Sequence, residues 1–264
     1  MIVAPFSLLQ QQGPAYDADA QAFLTATGIT DVTISNAINT LVLSLKSNNI
    51  WTGLLAIYPM VGGTSTTCKY NLKNPADTDA AFRLSFNGTW TFDSNGAKPN
   101  GASGTYANTF LNPTTSLSST NGHISYYSFT NTAGSTQVEI GTTSSPAPTG
   151  EINLAANYAS NFYAFWSNLG GGVANTDSRG FYINNRAANT EGWKNGTRVI
   201  NTGNGSGTSN YPFFLGAENN AGATNYRNSD RGCSFASIGS TLAAPATFST
   251  IINTFQTSLG RNQY

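Results

Sequence analysis

The chain has 264 residues, only 9 % of them charged, with twelve basic and twelve acidic side chains and a formal net charge of zero. An ordinary soluble domain carries about 25 % charged residues, so this balance excludes a nucleic-acid surface or a polybasic membrane patch, both of which need clustered positive charge. Hydrophobic residues at 39 % and aromatics at 12 % exclude a disordered chain, and the length suits one all-β domain.

The first nine residues, MIVAPFSLL, are apolar but lack a basic start and are too short to cross a bilayer. Residues 1–16 are therefore set apart as an N-terminal arm. Its Ile2, Val3, Phe6, Leu8 and Leu9 either anchor to a partner surface or pack on their own domain. Asp17 then caps a short helix that Gly28 stops. Asp31 caps a longer one, in which Ile34, Ile38, Leu41, Val42 and Leu45 form one apolar stripe before Asn48-Asn49. Leu54-Leu55-Ala56-Ile57-Tyr58 is too apolar for an exposed loop. Residues 17–80 thus read as a helical subunit laid on the remainder.

From residue 81 to 242 the period becomes two. Phe82, Leu84 and Phe86 alternate with polar residues, and Asn87-Gly88 predicts a turn into Thr89-Trp90-Thr91-Phe92. Residues 93–105, rich in Gly, Asn and Ser, read as a rim loop. Short β runs follow at 123–129, 137–140, 151–154 and 162–166, and Gly170-Gly171-Gly172 reads as a loop. Phe181-Tyr182-Ile183 opens the densest β region. Trp193-Lys194 and Thr197-Arg198-Val199-Ile200 flank Asn195-Gly196, the strongest hairpin signal in the chain. Tyr211 to Gly216 begins another strand. Polar turns with no helical period between strands mean antiparallel pairing, so the fold class is mainly β, a two-sheet antiparallel sandwich or jelly roll. Residues 243–264 close the same domain as a helix, with Pro245 at its first turn, Phe248, Ile251, Ile252, Phe255 and Leu259 as its stripe and Gly260 as its stop.

The pattern GFYINNR…WKNGTRV…PFFLGAENNAG…FASIG resembles the concanavalin A-like lectin/glucanase superfamily (LamG-like), which implies a jelly-roll sandwich. The segment DADAQAFLTATGITDVTISNAINTLVLSLKSNNIWTGLLAIYPMVGG with the closing FQTSLGR resembles a group of tailed-bacteriophage and prophage proteins. That likeness implies a non-enzymatic virion structural protein, a capsid appendage or tail-fibre component assembled in the host cytoplasm. Its expected partners are other virion proteins, further copies of itself and host surface glycans. The resemblance transfers no catalytic or binding residue. The last helix departs from it, opening on Ala243-Ala244-Pro245-Ala246 in place of an acidic start.

The residues themselves argue against catalysis. Glucanases of this superfamily pair carboxylates on one strand, whereas Glu139, Glu151, Glu191 and Glu218 are isolated and read as solvent-facing strand acids. His123 is the single histidine and reads as a packing or edge residue. Cys68 and Cys233 show no metal-ligand spacing and read as core thiols rather than a disulfide. Asp177, with Asn175 and Asn184, offers oxygen ligands for calcium, against the commoner turn role of such residues; no cofactor is expected. Glycan binding needs exposed rings with planar polar partners. Trp193, Tyr211, Asn219, Asn220, Tyr226 and Arg227 have the right chemistry, with a dedicated glycan-recognition module as the alternative to the virion reading and a hydrolase or lyase behind both.

Overall fold

Asn195 and Gly196 adopt φ of 50° and 80°, the positive values that both central residues of a type I′ turn need. They join strands Thr190–Lys194 and Thr197–Thr202. From this hairpin a sheet extends through Gly180–Arg186, Gly122–Ser128 and Cys233–Gly239 to Gly96–Pro99 and Trp90–Asp93. Leu54–Tyr58 pairs antiparallel with Cys233–Gly239. The computed structural model describes residues 16–132, 136–144 and 149–264. The arm candidates Ile2, Val3, Phe6, Leu8 and Leu9 lie outside the described residues.

A second sheet runs from Leu169–Ala174 through Asn161–Trp166, Thr149–Tyr158, Ile140–Ser144, Phe214–Leu215 and Tyr106–Asn108 to Ser85–Asn87. Glu218–Asn220 lies alongside Ile140–Ser144 as a parallel neighbour. Among the described residues each sheet has eight strands. The two stack as an antiparallel sandwich, mainly β, with helices from both ends of the chain.

Alternation explains the layering. In the inner sheet Ile124, Tyr126, Tyr182, Ala236 and Ile238 face the outer sheet. Their neighbours Tyr127, Phe181, Ile183 and Phe235 face the helices. The three central strands are buried on both sides, as a sheet covered on both faces must be. The helices follow their caps: Asp17 and Asp31 accept from the backbone N–H groups of Asp19 and Ile34, opening Ala18–Thr27 and Val32–Ser47. Ile38, Leu41, Val42 and Leu45 are at most 2 % exposed, contributing roughly 1.5–3 kcal/mol each before ordering costs. The last helix, Pro245–Ser258, packs beside Val32–Ser47 and covers the same sheet face with Phe248, Ile252 and Phe255. Because Leu54–Tyr58 belongs to the inner sheet, residues 17–80 share a sheet with the sandwich rather than merely resting on it.

Three local expectations are corrected, and the Asn87-Gly88 turn forms where expected but joins strands of different sheets. No hairpin forms across Asn87-Gly88: Ser85–Asn87 pairs with Tyr106–Asn108 in the outer sheet and Trp90–Asp93 with Gly96–Pro99 in the inner one. The turn carries the chain between layers. The 93–105 segment therefore contains a strand, and Gly96 is required there. At φ 134° its Cβ would lie 2.1 Å from the Cys233 carbonyl oxygen. Gly170-Gly171-Gly172 is not a loop but the body of an edge strand. Between Tyr211 and Gly216 only Phe214–Leu215 is strand, since Phe213 is drawn into the core and bonds Leu111. Cys68 and Cys233 are free and buried.

Candidate functional site

Strand Asn161–Trp166 sends Phe162, Ala164 and Trp166 into the core, so Tyr163 and Phe165 point the other way, onto the open face of the outer sheet. Its neighbour does the same with Ile152 and Leu154 inside and Glu151 and Asn153 outside. Pairing sets Asn153 opposite Phe165 and Ala155 opposite Tyr163. The edge strand supplies space: a Cβ on Gly172 would lie 2.3 Å from Tyr163 Cε1, and one on Gly170 2.8 Å from Phe165 Cδ1. The two rings are stacked at 5.8 Å and 22°, and Tyr158 meets Tyr163 edge-on at 5.8 Å.

Beside this aromatic row lies a charged array drawn from three separate segments. Arg227 Nη1 donates to Glu151 Oε1 at 3.0 Å and to Glu218 Oε2 at 2.8 Å. Asn153 Nδ2 donates to the same Glu151 oxygen at 2.7 Å. The guanidinium stands over the rings of Tyr226, at 4.8 Å, and Tyr158, at 5.3 Å. Arg227 holds a left-handed φ of 51°, a costly conformation for a non-glycine residue, and its carbonyl accepts from Val138 N–H at 3.0 Å. Beneath, Asn184 Nδ2 bridges the sheets by donating to the carbonyls of Asn153 and Phe165 at 2.9 and 2.7 Å. The result is a cleft of about 170 Å³ walled by Tyr158, Tyr163, Phe165, Glu151, Asn153 and Arg227, with Val138 and Ala155 completing it.

The electrostatics are uneven. Glu218 is 1 % exposed, and burial pushes its carboxyl up to about 7, against the pull of Arg227 and with the repulsion of Glu151. Glu218 Oε1 and Asn153 Oδ1 are buried without a hydrogen-bond partner. Each can accept a hydrogen bond from a water or from a ligand hydroxyl.

No protein-family model and no curated protein matches the chain. Solved structures match it in fold. The Trypanosoma rangeli sialidase in complex with sialic acid aligns at TM-score 0.51 and 11 % identity, over 77 % of this chain and 33 % of that one. The same organism's sialidase with 2,3-difluoro-KDN aligns at 0.51 and 10 %, over 83 % and 39 %. Domain 4 of the Geobacillus stearothermophilus GH43 arabinanase AbnA, in complex with arabinotriose, aligns at 0.45 and 14 %, over 76 % and 98 %. The chain thus spans about a third to two fifths of the sialidase chains it matches. At these identities the two sialidase alignments show a shared fold, the β-sandwich, and nothing more.

The structure divides the six glycan candidates between different places. Arg227 and Tyr226 stand at the cleft. Tyr211 lies near the end of strand Glu218–Asn220, where Asn219, 2 % exposed, donates to the Pro212 carbonyl and accepts from Gly222 N–H. Trp193 lies on the far side of the sandwich, packed toward the helices with Nε1 donating to Glu191 at 3.0 Å. Tyr158, Tyr163, Phe165 and Glu151 line the cleft with Arg227, and Glu218 holds Arg227 from outside it; sequence reasoning missed their convergence.

The acids are also corrected. Glu139 and Glu218 are buried rather than solvent-facing, and Glu151 and Glu218 are joined through one guanidinium rather than isolated. His123 is fully buried, bonded to the Ser240 carbonyl at 2.6 Å and the Ser237 hydroxyl at 3.0 Å. At the calcium candidate, Arg179 grips both carboxylate oxygens of Asp177, holding it below the usual carboxylate range. Lys194 Nζ sits 2.6 Å from Asn175 Oδ1 and 3.0 Å from the Asp177 carbonyl. An ammonium group therefore occupies the oxygen set that a cation would need, and Asn184 is spent on the sheet bridge.

Proposed function

We propose that the chain is a non-catalytic carbohydrate-binding sandwich, carried as a component of a phage virion, whose outer-sheet cleft engages host surface glycans. The observation that supports it most directly is the row Tyr158, Tyr163 and Phe165 set beside Glu151, Asn153 and Arg227 on an open sheet face. Apolar rings with a few convergent polar groups are the usual make-up of a small-ligand site. The fold neighbours include a sialidase bound to sialic acid, which fits a sugar ligand without naming one. Against hydrolysis, both carboxylates are tied to the same guanidinium, whereas glycosidic cleavage needs one to protonate the leaving oxygen and the other to work at the opposite face.

A glycan array followed by saturation-transfer NMR on the full chain tests the reading. Tyr163→Ala should weaken binding by about tenfold or more, equivalent to ~1.4 kcal/mol. Gly172→Val should do the same through displacement of the Tyr163 ring, with a melting profile that stays cooperative. Equal binding by both variants would remove the cleft from consideration.

The virion setting is supported by the phage resemblance and by the apolar arm. Deleting residues 1–12 is expected to leave a folded chain that no longer incorporates into particles. Normal incorporation of the truncated chain, scored in purified virions, would end that part of the proposal.

A further inference from the structure

We infer that the outer-sheet cleft takes an uncharged sugar ring through its hydroxyl donors and turns away the corresponding anionic sugar. This specificity rests on the glycan-binding reading above and goes beyond it by naming the ligand class.

Charge is the first argument. Arg227 is the sole cation among the described residues that line the cleft, and its Nη1 is already shared by Glu151 and Glu218. An incoming carboxylate would have to compete with two resident ones for a single guanidinium. With Glu218 ionised the three groups sum to minus one, and like charges at a few ångströms repel in a partly desolvated site.

Hydrogen-bond polarity is the second. Asn153, 2 % exposed, lines the cleft with its Nδ2 committed to Glu151 and its Oδ1 unpartnered. An amide carbonyl oxygen can only accept. A sugar hydroxyl brings the proton it lacks; a carboxylate, sulfate or phosphate at that position brings none and would set acceptor against acceptor. Sites built to pair a ligand hydroxyl discriminate strongly against analogues that leave the pairing unmade.

Size is the third. About 170 Å³ is well below the roughly 300–1,000 Å³ of clefts that enclose drug-sized ligands. It suits one ring stacked on Tyr163 and Phe165, with any further chain leaving the face.

The test uses sugar pairs that differ only at C6: galactose with galacturonic acid, glucose with glucuronic acid, and mannose with mannuronic acid. Each is titrated into the full chain at pH 8 and followed by saturation-transfer NMR. In whichever pair binds, the neutral sugar should be held about tenfold more tightly or better. Glu151→Gln should narrow the gap by relieving the charge excess, and Tyr163→Ala should weaken both members together. A uronic acid bound as tightly as its neutral partner, and lost in Tyr163→Ala, would overturn the specificity while leaving the cleft a glycan site. If no sugar of the panel or the array binds, or binding is indifferent to Tyr163→Ala, the glycan reading falls and this inference with it.

Discussion

Replacing Glu139 with leucine is expected to destabilise the fold by about 3–5 kcal/mol, read as a lower urea midpoint. Glu139 and Arg231 are both fully buried and meet at 2.7 Å. Glu139 also accepts from Ser229 Oγ at 3.0 Å and from the backbone N–H of Ala156. Arg231 donates onward to the carbonyls of Asn157 at 2.7 Å and Thr132 at 3.1 Å, and its own carbonyl accepts from Tyr126 at 2.7 Å. The pair therefore ties an outer-sheet strand to the entry of the inner strand Cys233–Gly239. Removing the carboxylate strands a guanidinium in the core. Replacing both partners, with Arg231→Met added to Glu139→Leu, removes that charge and should recover much of the loss. A single variant within about 1 kcal/mol of the parent would show that water reaches the site.

The reason such a pair escapes sequence reading is the reason the cleft does. Caps, stops and the Asn195-Gly196 turn act within a few residues, so Asp17, Asp31, Gly28 and Gly260 declare their elements locally. Glu139 reads as a strand acid because its partner is 92 residues away. Arg227 meets Glu218 nine residues away but Glu151 at a separation of 76. No spacing rule covers contacts made by strand order. In Phe162-Tyr163-Ala164-Phe165-Trp166 both faces are apolar or aromatic, so alternation alone does not say which face is open. The signal that does exist is Gly170 and Gly172, whose missing side chains make room for the rings opposite. Asn87-Gly88 shows the same limit: its turn forms where the local chemistry puts it, but the strands it separates pair in different sheets.

The pH profile of stability should be nearly flat between about pH 4.5 and 6.5, and a single substitution should tilt it. Burial holds His123 down at about 4, against its bond to the Ser240 carbonyl, from an ordinary value of 6.5. Through that window the unfolded chain binds a proton that the native one refuses, so stability rises with pH by about 1.4 kcal/mol per unit. That contribution is fully present above 6.5 and is lost as pH falls through 4. Glu218 works in the opposite sense. Its native carboxyl, raised by burial to about 7 from 4.5, keeps a proton that the unfolded chain has released. Its contribution is fully present below 4.5 and is lost as pH rises through 7, at the same slope. The two cancel where their windows overlap. Glu218→Gln fixes the neutral form and removes the falling term, so stability should climb by about 3 kcal/mol between pH 4 and 6.5. Urea titrations at half-unit steps measure this. A Glu218→Gln profile parallel to that of the parent would mean that Glu218 is already ionised at about pH 5, held by Arg227, and that the cleft carries its full negative charge throughout.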